Sequence, residues 1–325
     1  MESVPPRYGV DFPEGNSFAW LLMSKGVLFS GQGAQKVGMG KAFHDASPLV
    51  RDLYAEADEV LGWSLSSLSF EGPEEELTKT SVCQPALYVM GYGAYKLLGE
   101  AGKLDGVELA AGLSLGELTA LAAAESFSFA DGLRVVAERG RLMQAACDTT
   151  DGAMASMIGG KEEVVRSLCD EYDVDMANLN CPGQIVISGQ REKVEAAAAA
   201  ARESGDFRMV VPLKVAGAYH SRLMSPAKEA FSMYLEEVPV AEPKLTVLSN
   251  TTGKPVATPA EIRDALSAQV VSSVLWEACM REAAARGCTE FHECGPGGVL
   301  GGLAKRTERS WTVKPVSNPD ELAQA

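Results

Sequence analysis

The sequence predicts an α/β protein: an α/β-hydrolase-like, mostly parallel sheet covered by helices, with a smaller ferredoxin-like unit inserted into it. Three observations carry this. Short apolar runs alternate with helical segments along most of the chain. One such run, "VELAAG", turns through a serine directly into the Ala-, Leu- and Glu-rich "LGELTALAAAE". Between residues 152 and 215 the rhythm changes to β-α-β-β-α-β. Strand–helix alternation implies a parallel sheet between two helical layers, whereas β-α-β-β-α-β is the order of a split βαβ unit.

In chain order, "GVLFSG" reads as the first strand. "LVRDLYAEADEVLG" and "QPALYVMGYGAYKLLGEAG" read as helices, "VELAAG" as the next strand, and "FADGLRVVAERGRLMQAA" as a helix after the serine turn. The inserted unit follows as strand "GAMASMIGG", helix "KEEVVRSLCDEY", strands "VDMANLN" and "PGQIVISG", helix "REKVEAAAAAARESG" and strand "FRMVVPLKV". Its alanine run at 196–201 is strong helix former. The alternation then resumes with "KLTVLSN", a helix around "SSVLWEACMREAAARG", and strands "TEFHEC" and "WTVKPVS". The expected division is an irregular extension over residues 1–24, a catalytic domain from 25–151 and 216–325, and a small subdomain over 152–215. Met23 is a candidate start, because the folded pattern begins at "KGVLFSG".

Composition narrows the function. A net charge of −15 argues against nonspecific binding to nucleic acid or to an acidic membrane. No apolar run approaches the roughly 20 residues that span a bilayer, and the acidic, proline-containing N-terminus does not read as a secretory signal. Seven scattered cysteines without a C-x-x-C pair argue for reduced thiols and against a disulfide framework or a zinc cluster. A cytoplasmic protein without a metal is expected.

The chemistry centres on Gly112-Leu113-Ser114-Leu115-Gly116, a G-x-S-x-G between a strand and a helix. Such a turn is tight and strained, and small flanking residues let it pass close to neighbouring backbone. Ser114 is either a nucleophile on that turn or an ordinary serine N-cap. A nucleophilic serine needs a base, and the chain has three histidines. His44 reads as a surface residue and His292 as a packed one. His220, in "VAGAYHSRLMSPA", lies where the chain leaves the inserted unit, so it can face a cleft between domains. The glycine-rich "SGQGAQKVGMGK" fails the dinucleotide fingerprint because Lys36 occupies the third glycine position, and no P-loop is present. No cofactor is therefore expected, and Gln32 reads better as an amide donor to an oxyanion.

Taken together, "FSGQGAQKVGMG", "GLSLGE", "RGRLMQ", "GAMASMIGG", "NLNCPGQIVISG", "GAYHSRLMSPA" and "CGPGGVLGGLAKR" resemble the malonyl-CoA:acyl-carrier-protein transacylase family, in order and spacing, from about residue 26 to 316. The resemblance implies a ping-pong transfer of malonyl from coenzyme A to acyl carrier protein, feeding fatty-acid synthesis. It casts Ser114 as the nucleophile and His220 as its base, oriented by the backbone carbonyl of Gln269. It places the oxyanion hole at the backbone N–H groups of Leu115 and Gln32, the latter through its main chain instead of its side chain. Arg139 would grip the malonyl carboxylate, and only a planar guanidinium pairs both carboxylate oxygens. Its guanidinium is expected to be partly desolvated and aimed away from the thioester. The family usually has histidine where this chain has Leu113, which makes one pocket wall more apolar. Tolerance for acetyl or methylmalonyl groups therefore stays open, as do a thioester hydrolase and a non-catalytic carrier-binding module. An acidic carrier needs a local basic patch, for which Lys305 and Arg306 are the candidates. A monomer is expected.

Overall fold

A computed structural model of the protein describes residues 24–325. The extension expected over residues 1–24, like the candidate start at Met23, lies outside the described residues save for Ser24. The described residues form two sheets. The larger contains β1 (Lys25–Phe29), β2 (Val107–Gly112), β7 (Thr246–Leu248), β8 (Pro255–Val256), β9 (Glu290–Cys294) and β10 (Thr312–Val316), in the spatial order β10-β9-β1-β2-β7-β8. All neighbours are parallel except β7 and β8.

Alternation along each strand splits its side chains between two cores. Val27, Phe29, Ala110 and Val247 face a core shared with the helices Thr80–Glu100, Leu115–Ala123 and Phe129–Thr149. Leu28, Leu109, Ala111 and Leu248 face the other, against Trp276, Cys279 and Met280 of the helix Trp276–Ala285 and Leu300 and Leu303 of the helix Val299–Thr307. Burial on both faces explains why these strands read as continuous apolar runs. Pro315, which cannot donate a ladder hydrogen bond, sits in β10 at the sheet edge.

The smaller sheet contains β3 (Gly152–Ile158), β4 (Asp175–Cys181), β5 (Gln184–Gln190) and β6 (Met209–Pro212), all antiparallel, in the order β4-β5-β3-β6. It shares a core of its own with the helices Glu162–Tyr172 and Arg191–Ser204. Main-chain bonds from Leu179 N–H to the Val274 carbonyl (2.9 Å) and from Val274 N–H to the Ala177 carbonyl (2.8 Å) tie β4 to the rest of the protein.

One helix starts well upstream of the sequence reading. The helix read from Gln84 starts at Thr80, with Pro85 inside it. Lys79 accepts from the N–H groups of Val82 and Cys83, and the Gln144 side chain accepts from Thr80 N–H at 2.9 Å. A tertiary contact thus satisfies the helix start upstream of the proline.

The turn from β2 into the helix Leu115–Ala123 is the tightest packing in the sheet's neighbourhood. A Cβ on Gly112 would lie 1.9 Å from the carbonyl carbon of Gly116, and one on Gly116 would lie 2.1 Å from the Phe29 carbonyl oxygen in β1. Both obstacles are backbone, so neither can swing aside. Gly116→Ala is expected to destabilise the protein by about 3 kcal/mol, read as a lowered urea midpoint. An unchanged midpoint would contradict this packing.

Candidate active site

Ser114 follows β2 and precedes the helix Leu115–Ala123 with φ 53° and ψ −105°. A non-glycine residue at such angles costs roughly 1–3 kcal/mol and persists only where its surroundings hold it. Two side chains do so here. Asn250, just beyond β7, accepts from Ser114 N–H at 2.6 Å and donates to the Gly112 carbonyl at 2.9 Å. Gln269, at the end of the helix Pro259–Gln269, donates from Nε2 to the Ser114 carbonyl at 3.0 Å. The serine side chain caps nothing. Its Oγ lies instead 2.8 Å from His220 Nε2.

His220 is 4% exposed, and its Nδ1 lies 2.8 Å from the Gln269 carbonyl oxygen. A carbonyl only accepts, so Nδ1 carries the proton and Nε2 is left as the acceptor for the serine hydroxyl. The histidine's own φ is 56°. Its loop is pinned to the small sheet two residues on, where Arg222 pairs with Asp175 at 2.8 Å and its N–H bonds the same carboxylate at 2.9 Å. Burial, with the nearby Arg139 charge, pulls the His220 imidazole down to about 4, so the ring is neutral at neutral pH.

Arg139 is 1% exposed. Its Nη2 donates to Ser114 Oγ at 3.1 Å and to Gln269 Oε1 at 2.8 Å, and its Nη1 donates to Gln84 Oε1 at 2.8 Å. The guanidinium is therefore wholly buried and touches the serine, where the sequence led us to expect partial desolvation and an aim away from the reacting centre. The helix Phe129–Thr149 packs closely enough against the strand-to-helix elbow at Ser114, between β2 and the helix Leu115–Ala123, to bring it there. Burial pulls Arg139 down to about 10, and it stays charged at neutral pH.

The backbone N–H groups of Leu115 and Gln32 make no hydrogen bond among the described residues, which leaves both free for an oxyanion. The Gln32 side chain is engaged elsewhere: it donates to the Tyr219 hydroxyl at 3.2 Å and accepts from Gln84 at 3.3 Å. A side-chain role for Gln32 at the oxyanion is thus disfavoured by its own contacts.

A cavity of about 470 Å³ opens over Ser114, between the elbow and the small sheet. Leu113, His220, Asn178 and Val186 line it, with Leu300 and Leu303 from the helix Val299–Thr307. A larger cleft of about 630 Å³ reaches His220 from beside Arg222 and Asp173 but does not include Ser114. Lys305 and Arg306 are exposed in the last turn of the helix whose start lines the smaller cavity. Arg306 bonds the Gln184 side chain, itself part of the cavity wall. The other histidines lie outside the cavity: His44 packs on the Tyr54 and Phe70 rings, and His292 is buried in β9. Among the described residues no group of three His, Cys, Asp or Glu side chains is placed to hold a metal ion.

Sequence reasoning passed over Asn250, Glu117 and Gln84. Asn250 carried one usable signal, its place at the end of a strand neighbouring the serine strand. Glu117 lay inside the quoted "GLSLGE". For Gln84 the chain offers no local signal.

Because the protein has three histidines, single substitutions of His44 and His292 assign the ring resonances by NMR. The His220 ring is expected to stay neutral until about pH 4. Titration near the ordinary histidine value would contradict the buried, neutral imidazole.

The sequence of the chain matches the family model described as acyl transferase domain over residues 27–319. It is 40% identical to the malonyl CoA-acyl carrier protein transacylase of Bacillus subtilis, covering 93% of this chain and 96% of that one. It is 37% identical to the Escherichia coli protein of the same name, over 92% and 97%. Among solved structures, a malonyl-CoA:acyl carrier protein transacylase from Xanthomonas oryzae superposes with a TM-score of 0.89 at 38% identity, covering 93% and 97%. A type II polyketide acyl-carrier protein in complex with its malonyl-transacylase gives 0.90 at 36% identity, over 93% and 98%. With this coverage and identity, the chain belongs to the acyltransferase family of malonyl-CoA:acyl-carrier-protein transacylases.

Proposed function

We propose that this protein transfers malonyl from malonyl-CoA to the phosphopantetheine thiol of acyl carrier protein through an ester on Ser114. The observation that carries the reading is a buried guanidinium 3.1 Å from a nucleophile that is itself 2.8 Å from a neutral histidine. Ser114 Oγ attacks the thioester carbonyl while its proton passes to His220 Nε2. The oxyanion of the tetrahedral intermediate is taken by the N–H groups of Leu115 and Gln32. As that intermediate collapses, the C–S bond breaks and His220 returns the proton to the coenzyme A sulfur. The carrier thiol then attacks the malonyl ester and gives its proton to His220; the ester C–O bond breaks, malonyl leaves on the carrier sulfur, and His220 returns the proton to Ser114 Oγ.

Arg139 selects the acyl group by pairing with the malonyl carboxylate. To do so it exchanges an amide oxygen, of Gln84 or Gln269, for a carboxylate. A neutral acyl chain, or a hydrolase substrate without a carboxylate, would gain nothing from this buried charge. Leu113 adds an apolar wall to the cavity over Ser114. The product supplies fatty-acid synthesis. A monomer is proposed, and seven buried, unpaired cysteines suit a reducing cytoplasm. The division into a catalytic domain (25–151 and 216–325) and a subdomain (152–215) is proposed along the line between the two sheets.

Replacing Arg139 by alanine tests the selection. A buried, charge-assisted pair is worth about 2–5 kcal/mol, and each 1.4 kcal/mol is about tenfold. Arg139→Ala is therefore expected to lower kcat/KM for malonyl-CoA at least about tenfold more than for acetyl-CoA. An equal loss on both substrates would make Arg139 structural.

Lys305 and Arg306 are proposed to receive the acidic carrier. Reversing both charges is expected to slow transfer to the carrier and leave acylation by malonyl-CoA nearly unchanged. Equal loss in both half-reactions would remove the docking role.

A further inference from the structure

Glu117 lies in the first turn of the elbow helix and is fully buried. Its Oε2 accepts from Gln269 Nε2 at 2.5 Å and from Asn250 N–H at 3.1 Å, while its Oε1 has no partner among the described residues. The charged and titratable groups around it are few. Arg139 faces it from the helix Phe129–Thr149, linked through the Gln269 amide, which gives its nitrogen to Glu117 and its oxygen to Arg139. His220 stands beyond the Ser114 hydroxyl, and the Cys279 thiol approaches from the helix Trp276–Ala285. Among the described residues Arg139 is therefore the one cation at hand, and Glu117 its one carboxylate.

A buried carboxylate with a free oxygen is costly, and no step of the transfer uses it. Its charge has a use, because an isolated buried guanidinium is costly too. With Glu117 ionised and His220 neutral, the free site sums to zero. A malonyl carboxylate on Arg139 would bring the sum to −1 inside the protein. We propose that Glu117 is the counter-charge that holds Arg139 ready, and that it takes up one proton when a substrate carboxylate engages Arg139. Glu117 is thus a positioning residue whose protonation sets how strongly the site discriminates malonyl from acetyl. The inference rests on the reading of Arg139 as the carboxylate-binding residue.

The sign follows from burial. Desolvation pushes the Glu117 carboxyl up to about 7 in the free site, and a second carboxylate raises it further. Between those two values the free site is ionised and the occupied site protonated, so binding takes up a proton. Below about 7 the free site already holds it and the uptake fades.

The test uses Ser114→Ala, which binds acyl-CoA without turning it over. Calorimetry at about pH 8, in two buffers of different ionisation enthalpy, counts protons taken up on binding malonyl-CoA and acetyl-CoA. Because both ligands carry the same coenzyme A, their difference isolates the malonyl carboxylate. The expected result is an uptake of up to one proton for malonyl-CoA and none for acetyl-CoA. The affinity ratio should fall by up to about tenfold per pH unit above neutrality. Adding Glu117→Gln, which keeps an acceptor oxygen for Gln269 and Asn250, should abolish the uptake and flatten the ratio with pH. Equal uptake for both ligands, none for either, or uptake that survives Glu117→Gln would each overturn the proposal. If Arg139→Ala still costs malonyl-CoA more than acetyl-CoA while the proton count fails, only the role of Glu117 falls.

Discussion

The site depends on one constraint: a serine held at φ 53° by hydrogen bonds to its own backbone. Ser114 could not rest there unaided. Asn250 takes its N–H and Gln269 its carbonyl, and each side chain arrives from a different part of the chain. Gly112 and Gly116 make the bend sterically feasible, because a Cβ at either would meet backbone. The strain is thus offset by fixed polar contacts, and the hydroxyl stands clear of the helix it would otherwise cap. A serine at this point in an ordinary helix start would spend its oxygen on the helix. Here the oxygen is left for His220.

Gln269 connects the rest. Its backbone carbonyl sets the histidine tautomer, its side-chain oxygen holds Arg139, and its side-chain nitrogen joins Ser114 to Glu117. Ser114, His220 and Arg139 therefore share one residue as a common support, and a shift there would move all three. The buried charges explain why such a support is needed. A guanidinium out of water needs oxygen partners, and the amide oxygens of Gln84 and Gln269 supply two, while its Nε has none among the described residues.

How much of this was legible in the sequence follows from how local each feature is. The alternation of strands and helices, the β-α-β-β-α-β order and the glycine-flanked serine are written in adjacent residues. His220 was favoured among three histidines because the chain re-enters the larger domain beside it. Arg139 drew attention through its motif, but its contact with the serine depends on packing of two helices that no local pattern encodes. Asn250 and Gln84 are ordinary polar residues until the fold brings them to Ser114 and Arg139. The early start of the helix at Thr80 rests on Gln144, which is 64 residues away. Local chemistry was readable; of the partners from distant segments, the Gln269 carbonyl came through the family resemblance, and Asn250, Gln84 and Gln144 did not.

The central claim is that Ser114 carries the acyl group between two thiols. Its most direct test is intact mass spectrometry of the protein mixed with malonyl-CoA and quenched in acid, followed by peptide mapping. The account predicts a single malonyl adduct, on the peptide containing Ser114, which disappears when acyl carrier protein bearing a free phosphopantetheine thiol is added. No adduct, an adduct on one of the seven cysteines, or an adduct that water removes as fast as the carrier does would contradict it.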